Sequence, residues 1–182
     1  KPVFMVLNGH SYATGNASSG EYIWVNNTSL DHWYSTGPEF DYFIGGAYPG
    51  FDDYYTEGGW GESLPFTIDH REGSTLTETM AKASEKQVDY LQLITWNDFG
   101  EGTMIEPTAE FGFKFLECLQ NFSGVNYSVS ELESIFLQYS LRNAFPAESK
   151  EQEILNQAFY YWVSLQTEKA ITLIDSLSLS LN

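Results

Sequence analysis

The chain has 182 residues, with 8 Lys and Arg against 25 Asp and Glu, and a formal net charge of −17. So few cations cannot exchange the counterions of a nucleic acid or hold an anionic membrane surface, which excludes both partners. Apolar residues make up 42 % and aromatics 16 %, enough to bury a core and exclude disorder, and no apolar run approaches the roughly 20 residues of a membrane helix. The length allows one domain with a short appendage. The single cysteine, Cys118, excludes an internal disulfide or a Cys-based zinc site and reads as a small buried apolar residue.

Residues 2–8 predict a buried strand, a short apolar run ending at Asn8-Gly9. The start has no basic region and no small-residue cleavage site, so it is not a signal peptide. A chain that opens in mid-strand is expected to be a piece of something larger. Asn16-Ala17-Ser18, Asn26-Asn27-Thr28, Asn27-Thr28-Ser29, Asn121-Phe122-Ser123 and Asn126-Tyr127-Ser128 fit the glycosylation pattern, which a chain rich in these residues produces by chance. A polar stretch runs from Ser11 to Ser19. Trp24, Leu30, Trp33 and Tyr34 then predict a helix within 22–34, starting near Asn27. A second strand covers 40–48 and runs into Pro49-Gly50 and the acidic-aromatic Phe51-Asp52-Asp53-Tyr54-Tyr55.

Residues 56–73 are a long Gly-rich, aromatic loop, and loops of that length inside compact domains are usually functional. Ser74-Thr75-Leu76-Thr77-Glu78 carries a capping-box signature for a helix reaching about residue 87. Asp89 to Trp96 is the clearest strand, followed by the polar loop Asn97 to Thr103. Phe111, Phe115, Leu116 and Leu119 place a helix over about 108–121. Strands alternating with helices predict a parallel sheet built from βα units. Past Ser128 the strand pattern ends, and two helices are expected at about 129–143 and 149–177, with Ala144-Phe145-Pro146 as the turn.

In parallel α/β folds ligands bind beyond the carboxyl ends of the strands. Asp98 and Glu101 follow one strand, and Asp52 and Asp53 follow another. Asp98 and Glu101 stand three positions apart in a loop whose Gly100 and Gly102 permit a sharp turn. Paired carboxylates are the equipment of glycoside hydrolysis, one protonating the leaving oxygen and the other acting as base or nucleophile. Trp96, Phe99, Trp60, Tyr54 and Tyr55 could wall such a cleft against sugar faces. The competing reading is solvated surface for Asp98 and Glu101, a turn cap for Asp52-Asp53, and core packing for the aromatics. His10 follows a strand and is a candidate for the same cavity, against a structural role. No phosphate loop, dinucleotide fingerprint, serine elbow or zinc-binding helix motif is present. A metal site from Asp52, Asp53 and Glu57 lacks a calcium-loop pattern, so no metal is expected.

The string Thr95-Trp96-Asn97-Asp98-Phe99-Gly100-Glu101-Gly102-Thr103 resembles the signature of the glycoside hydrolase family 71 and family 99-like proteins, at the end of a late barrel strand. Tyr48-Pro49-Gly50-Phe51-Asp52-Asp53 resembles a second turn of these proteins, and the helix start at Thr75-Leu76-Thr77-Glu78-Thr79 fits their order. The resemblance covers about residues 1–120. It implies a (β/α)8 TIM barrel acting on α-linked glucans or mannosides without a cofactor. Glu101 would be the general acid and Asp98 the second carboxylate. Trp96, Asn97, Asp52, Trp60, Tyr48 and His10 are the expected substrate contacts. A complete barrel needs about 250 residues.

The expected fold is therefore the carboxyl-terminal half of a TIM barrel over 1–127 with a helical extension over 128–182. The expected function is glycoside hydrolysis. A non-catalytic carbohydrate-binding protein and an assembly protein are the alternatives. The expected partners are an oligo- or polysaccharide and the amino-terminal half of the barrel. The resemblance implies an extracytoplasmic location.

Overall fold

The computed structural model describes residues 2–36 and 40–179. They fall into two compact units, one reaching Gly124 and one beginning at Val125. The first unit is built on a four-stranded sheet of β1 (Met5–Leu7), β2 (Gly20–Tyr22), β3 (Tyr42–Ala47) and β4 (Tyr90–Leu93). All neighbours are parallel, and the strands lie in chain order. That order is the one a singly wound βα barrel segment has; a doubly wound sheet reverses direction at a switch point. The helices are α1 (Ser11–Thr14), α2 (Leu30–Thr36), α3 (Ser74–Glu85) and α4 (Lys114–Ser123).

Side chains alternate across each strand, so Phe43, Gly45 and Ala47 share one face. That face meets α3: Ala47 packs with Leu76, Met80, Ile105 and Phe115, and Phe43 packs with Ala83, Ile23 and Tyr34. Parallel sheets are ordinarily covered on both sides. Here the other face carries Leu7, Tyr42 and Tyr90, which are exposed, beside half-buried Tyr22 and Ile44 and buried Gly46.

Four expectations are corrected. Gly20–Tyr22 is a strand, not part of a polar loop and helix. Three residues are too few to show alternation, and its centre is a Glu. The helix expected within 22–34 is confined to Leu30–Thr36. The residue before α3 is Gly73 in the left-handed region, with no side-chain cap, so Ser74 and Glu78 form no capping box. Thr75 Oγ1 instead donates to the Asp69 carbonyl, and Arg71 forks onto Glu78. The long helix expected over 149–177 is two helices.

The second unit consists of α5 (Val129–Ala144), α6 (Lys150–Val163) and α7 (Thr167–Ser178). Leu165 breaks the chain between α6 and α7 at φ 58°. The break lets Ile174 and Leu177 fold back onto Leu155 and Ala158. A continuous helix would hold these residues about 30 Å apart at 1.5 Å per residue. Ser128 and Glu131 form a reciprocal capping box at the start of α5.

Leu76 is completely buried under the sheet. Leu76→Ala is expected to destabilise the first unit by about 3 kcal/mol, read as a lower urea midpoint. A loss below about 1 kcal/mol would mean that α3 is not the main cover of this face.

Candidate functional site

The site is made by two loops beyond β3 and β4. The first, residues 52–67, is closed at its base by Phe51 and Ile68, whose backbones exchange hydrogen bonds of 2.8 and 2.7 Å. Phe51 and Phe66 stack there at 4.9 Å. Inside the loop, Ser63 N–H donates to Thr56 Oγ1 at 3.0 Å. Asp53 is buried, and its carboxylate accepts from Tyr55 N–H at 3.2 Å and Leu64 N–H at 2.8 Å. Burial raises the pKa of Asp53, but the Ser63 hydroxyl and the two N–H groups outweigh it and hold the carboxyl below its usual value.

The second loop, residues 95–103, is tied to itself. Thr95 N–H donates to the Thr103 carbonyl at 2.8 Å, and the two threonine hydroxyls lie 2.9 Å apart. Asp98 N–H donates to Thr95 Oγ1, and Asp98 Oδ1 accepts the Glu101 N–H at 3.0 Å. His70 Nε2 lies 2.7 Å from the Gly102 carbonyl, so that nitrogen carries the proton. Its ring is wedged against Phe111 and Phe115.

The loops meet around a cavity of about 800 Å³ whose walls include Tyr54, Tyr55, Glu57, Trp60, Asp98 and Glu101. Both carboxylates proposed from the sequence stand in this one wall. Glu101 Oε1 accepts the Tyr55 hydroxyl, while Oε2 is buried with no hydrogen-bond partner. Buried polar atoms are ordinarily paired, so Glu101 Oε2 stands apart from the other acids of the site. The Glu101 bond, then burial, then the Glu101, Asp53 and Asp98 charges push the Tyr55 phenol up to about 12. Among the described residues no Lys, Arg or His lines the cavity.

The remaining expected contacts are distributed differently. Trp60 lines the cavity and is 87 % exposed. Asp52 lines a second hollow of about 240 Å³ beside Tyr54, His70, Phe99, Glu110 and Phe111. Trp96 and Asn97 are exposed at the start of the second loop, outside both linings. His10 is exposed on the loop after β1, with Nδ1 3.1 Å from the Asn8 carbonyl, and is in neither lining. Tyr48 is buried among Val25, Phe51 and Ile94 and is not in the cavity lining. Among the described residues no group of three His, Cys, Asp or Glu side chains is placed to hold a metal ion.

Sequence reasoning missed Glu21, the buried centre of β2. Its two oxygens accept from Gly9 N–H at 2.8 Å and Ser11 N–H at 2.9 Å, fixing the loop after β1. Nothing in Gly20-Glu21-Tyr22 signals this, because the partners are backbone groups 10 and 12 residues away.

No protein-family model matches the chain, and no curated protein matches it in sequence. Among solved structures it is similar to the endo-α-mannosidase of glycoside hydrolase family 99 from Bacteroides thetaiotaomicron in complex with bis-tris-propane. That match has a TM-score of 0.51 at 18 % identity and covers 68 % of this chain and 47 % of that one. A second structure of the endo-α-mannosidase from the same organism gives 0.49 at 18 %, covering 68 % and 45 %. What the match at 0.51 shows is a shared fold. The chain spans about half the length of these structures. The α/β unit, with its parallel strands in chain order, is consistent with part of a TIM barrel. No helix among the described residues is long and apolar enough to cross a membrane.

The Tyr55 phenol moves up from 10.0 to about 12 on folding. A phenol that ionises later in the folded chain contributes its stability fully below the unfolded value and loses it as pH rises through the folded one. The urea midpoint of the wild type is therefore expected to fall more steeply than that of Tyr55→Phe between about pH 10 and 12. Equal slopes would show that Tyr55 is not bonded to Glu101 in solution.

Proposed function

We propose that this chain carries the acid-bearing part of a glycoside hydrolase that cleaves a neutral α-linked glucan or mannoside outside the cytoplasm. The observation that carries the reading is the placement of Asp98 and Glu101 in one cavity wall, beside the rings of Tyr54, Tyr55 and Trp60. Flat aromatic faces suit the C–H faces of sugars. Glu101 gives its proton to the leaving oxygen as the bond from that oxygen to the anomeric carbon breaks. The bonding electron pair stays on the oxygen. A water oxygen ends on the anomeric carbon, and the proton that water loses returns to a carboxylate. Asp98 is the second carboxylate, held by the Glu101 N–H. No cofactor enters this chemistry.

The composition of the wall supports a neutral substrate. Glu57, Asp98 and Glu101 are in the lining, and among the described residues no cationic side chain joins them. A uronic acid or sulfated sugar would meet like charges at short range without compensation. The fold likeness to a family 99 endo-α-mannosidase supports the architecture. The exposed face of the sheet supports further βα units as the partner that completes a barrel. Trp60 favours a second reading, a carbohydrate-binding protein without turnover. An indole this exposed is a ready sugar platform whether or not a bond is cut.

Two outcomes test the proposal in the intact protein. Glu101→Gln is expected to lower kcat on its glycan by about 10² to 10⁴-fold while sugar affinity is retained. Undiminished turnover would remove Glu101 from the acid role; binding without turnover in the wild type would favour the second reading. In a substrate panel, neutral glucans and mannosides are expected to be cleaved and uronate-containing or sulfated glycans refused. Preference for an anionic glycan would overturn the neutral-substrate reading.

A further inference from the structure

We propose that Tyr55 is a positioning residue for Glu101, and that the 52–67 loop is built to hold it in place. The catalytic meaning of this inference rests on the hydrolase reading above. The geometry it starts from does not.

The terminal torsion of a glutamate is broad, so its carboxyl orientation must be set by partners. Among the described residues the Glu101 carboxyl has one, the Tyr55 hydroxyl on Oε1, because Oε2 has none. Remove that hydroxyl and no other hydrogen bond fixes the plane of the carboxyl. A general acid works only if its proton points at the leaving oxygen, and small misplacements are costly.

Tyr55 can serve as a fixed point only if its own loop is fixed. The loop has a closed base at Phe51 and Ile68, an aromatic stack above it and a Thr56–Ser63 link within. Asp53 sits immediately before Tyr54 and binds the Tyr55 and Leu64 N–H groups from both sides of the loop. It is a buried acid whose carboxylate serves backbone donors. The order of dependence runs from Asp53 to the loop, from the loop to Tyr55, and from Tyr55 to Glu101.

A rival role exists on the same residue. The Tyr55 ring lines the cavity and could act only as a sugar platform. Tyr55→Phe separates the two, since it keeps the ring and removes the hydroxyl. The experiment compares two substrates of one glycone in the intact protein. One has an alkyl leaving group that needs protonation, and the other has a dinitrophenyl group that departs unprotonated. In Tyr55→Phe, kcat on the alkyl glycoside is expected to fall roughly 10- to 100-fold with KM nearly unchanged, while the dinitrophenyl glycoside keeps its rate. Equal losses on both substrates, or a change confined to KM, would overturn the proposal.

Failure of the hydrolase reading looks different: the wild type cleaves neither substrate. Positioning is then decided by carboxyl labelling with a water-soluble carbodiimide and an amine, read by peptide mass spectrometry. Release of the Glu101 carboxyl in Tyr55→Phe is expected to raise its labelling several-fold relative to Glu57. An unchanged ratio would overturn the proposal.

Discussion

Two backbone hydrogen bonds join the loop after β3 to the loop after β4. Asp52 N–H donates to the Glu101 carbonyl at 3.0 Å, and Tyr54 N–H donates to the Gly100 carbonyl at 2.9 Å. They set which residues of the two loops face each other, as a strand register does. Tyr55 reaches Glu101 across 46 positions of sequence because this short ladder brings the loops into line. The approach is close enough to demand glycine at 102. A Cβ there would lie 2.9 Å from the Asp52 carbonyl oxygen, at a φ of 63° that other residues rarely adopt. His70 holds the Gly102 carbonyl from beneath and is itself clamped by two phenylalanines of the main core. The site therefore inherits its rigidity from the packing under the sheet.

The charge balance explains how the buried and half-buried acids are satisfied. With 25 acidic side chains and 8 Lys and Arg, salt bridges cannot neutralise most carboxylates. Those the chain makes are solvated, such as Lys82 with Asp31 and Lys114 with Glu72, and exposed pairs contribute at most about 1 kcal/mol. Glu21, Asp53 and Asp98 take backbone N–H donors instead. Such charge-assisted bonds satisfy the acid and fix a loop in one step. Each of the three holds a loop that follows a strand, so one device serves three loops. Glu101 departs from it, since its carboxyl takes a side-chain hydroxyl on one oxygen and nothing on the other. The carboxyl assigned the chemistry is the one not used to hold backbone.

What was legible in the sequence follows what signals locally. The strands near 42–47 and 90–93 and the helix from Ser74 stood out, because apolar runs and helical spacing are properties of neighbouring residues. Asp98 and Glu101 stood out because a Gly-bearing loop after a strand can aim two acids together. β2 was hidden, since three residues show no period and its central Glu looks like surface. Tyr48 follows β3 directly and is enclosed by Val25, Phe51 and Ile94, contacts that no local spacing announces. The work of Asp53 and His70 was illegible. Their partners are Tyr55, Leu64 and Gly102, chosen by how the loops fold back and not by any spacing.

The sheet adds an argument about the proposed barrel. Helices cover the face that carries Phe43, Gly45 and Ala47, while Leu7, Tyr42 and Tyr90 stand exposed on the other. A parallel sheet needs cover on both faces, and its unpaired edges invite further strands. In a closed barrel the same arrangement is unremarkable, because the second face points to the interior and is filled by side chains from the remaining strands. The strand order, the exposed residues and the fold likeness are consistent with part of a TIM barrel, the reading proposed above. It bears on chemistry as well as stability. Tyr54, Tyr55 and Trp60 wall the cavity from one loop only, and Trp60 projects almost fully into solvent. Further βα units would raise loops on the same rim, because the strand direction fixes which end of the sheet they leave from. An exposed indole on one wall would then face a second wall, and a sugar between them would lose water on both of its faces.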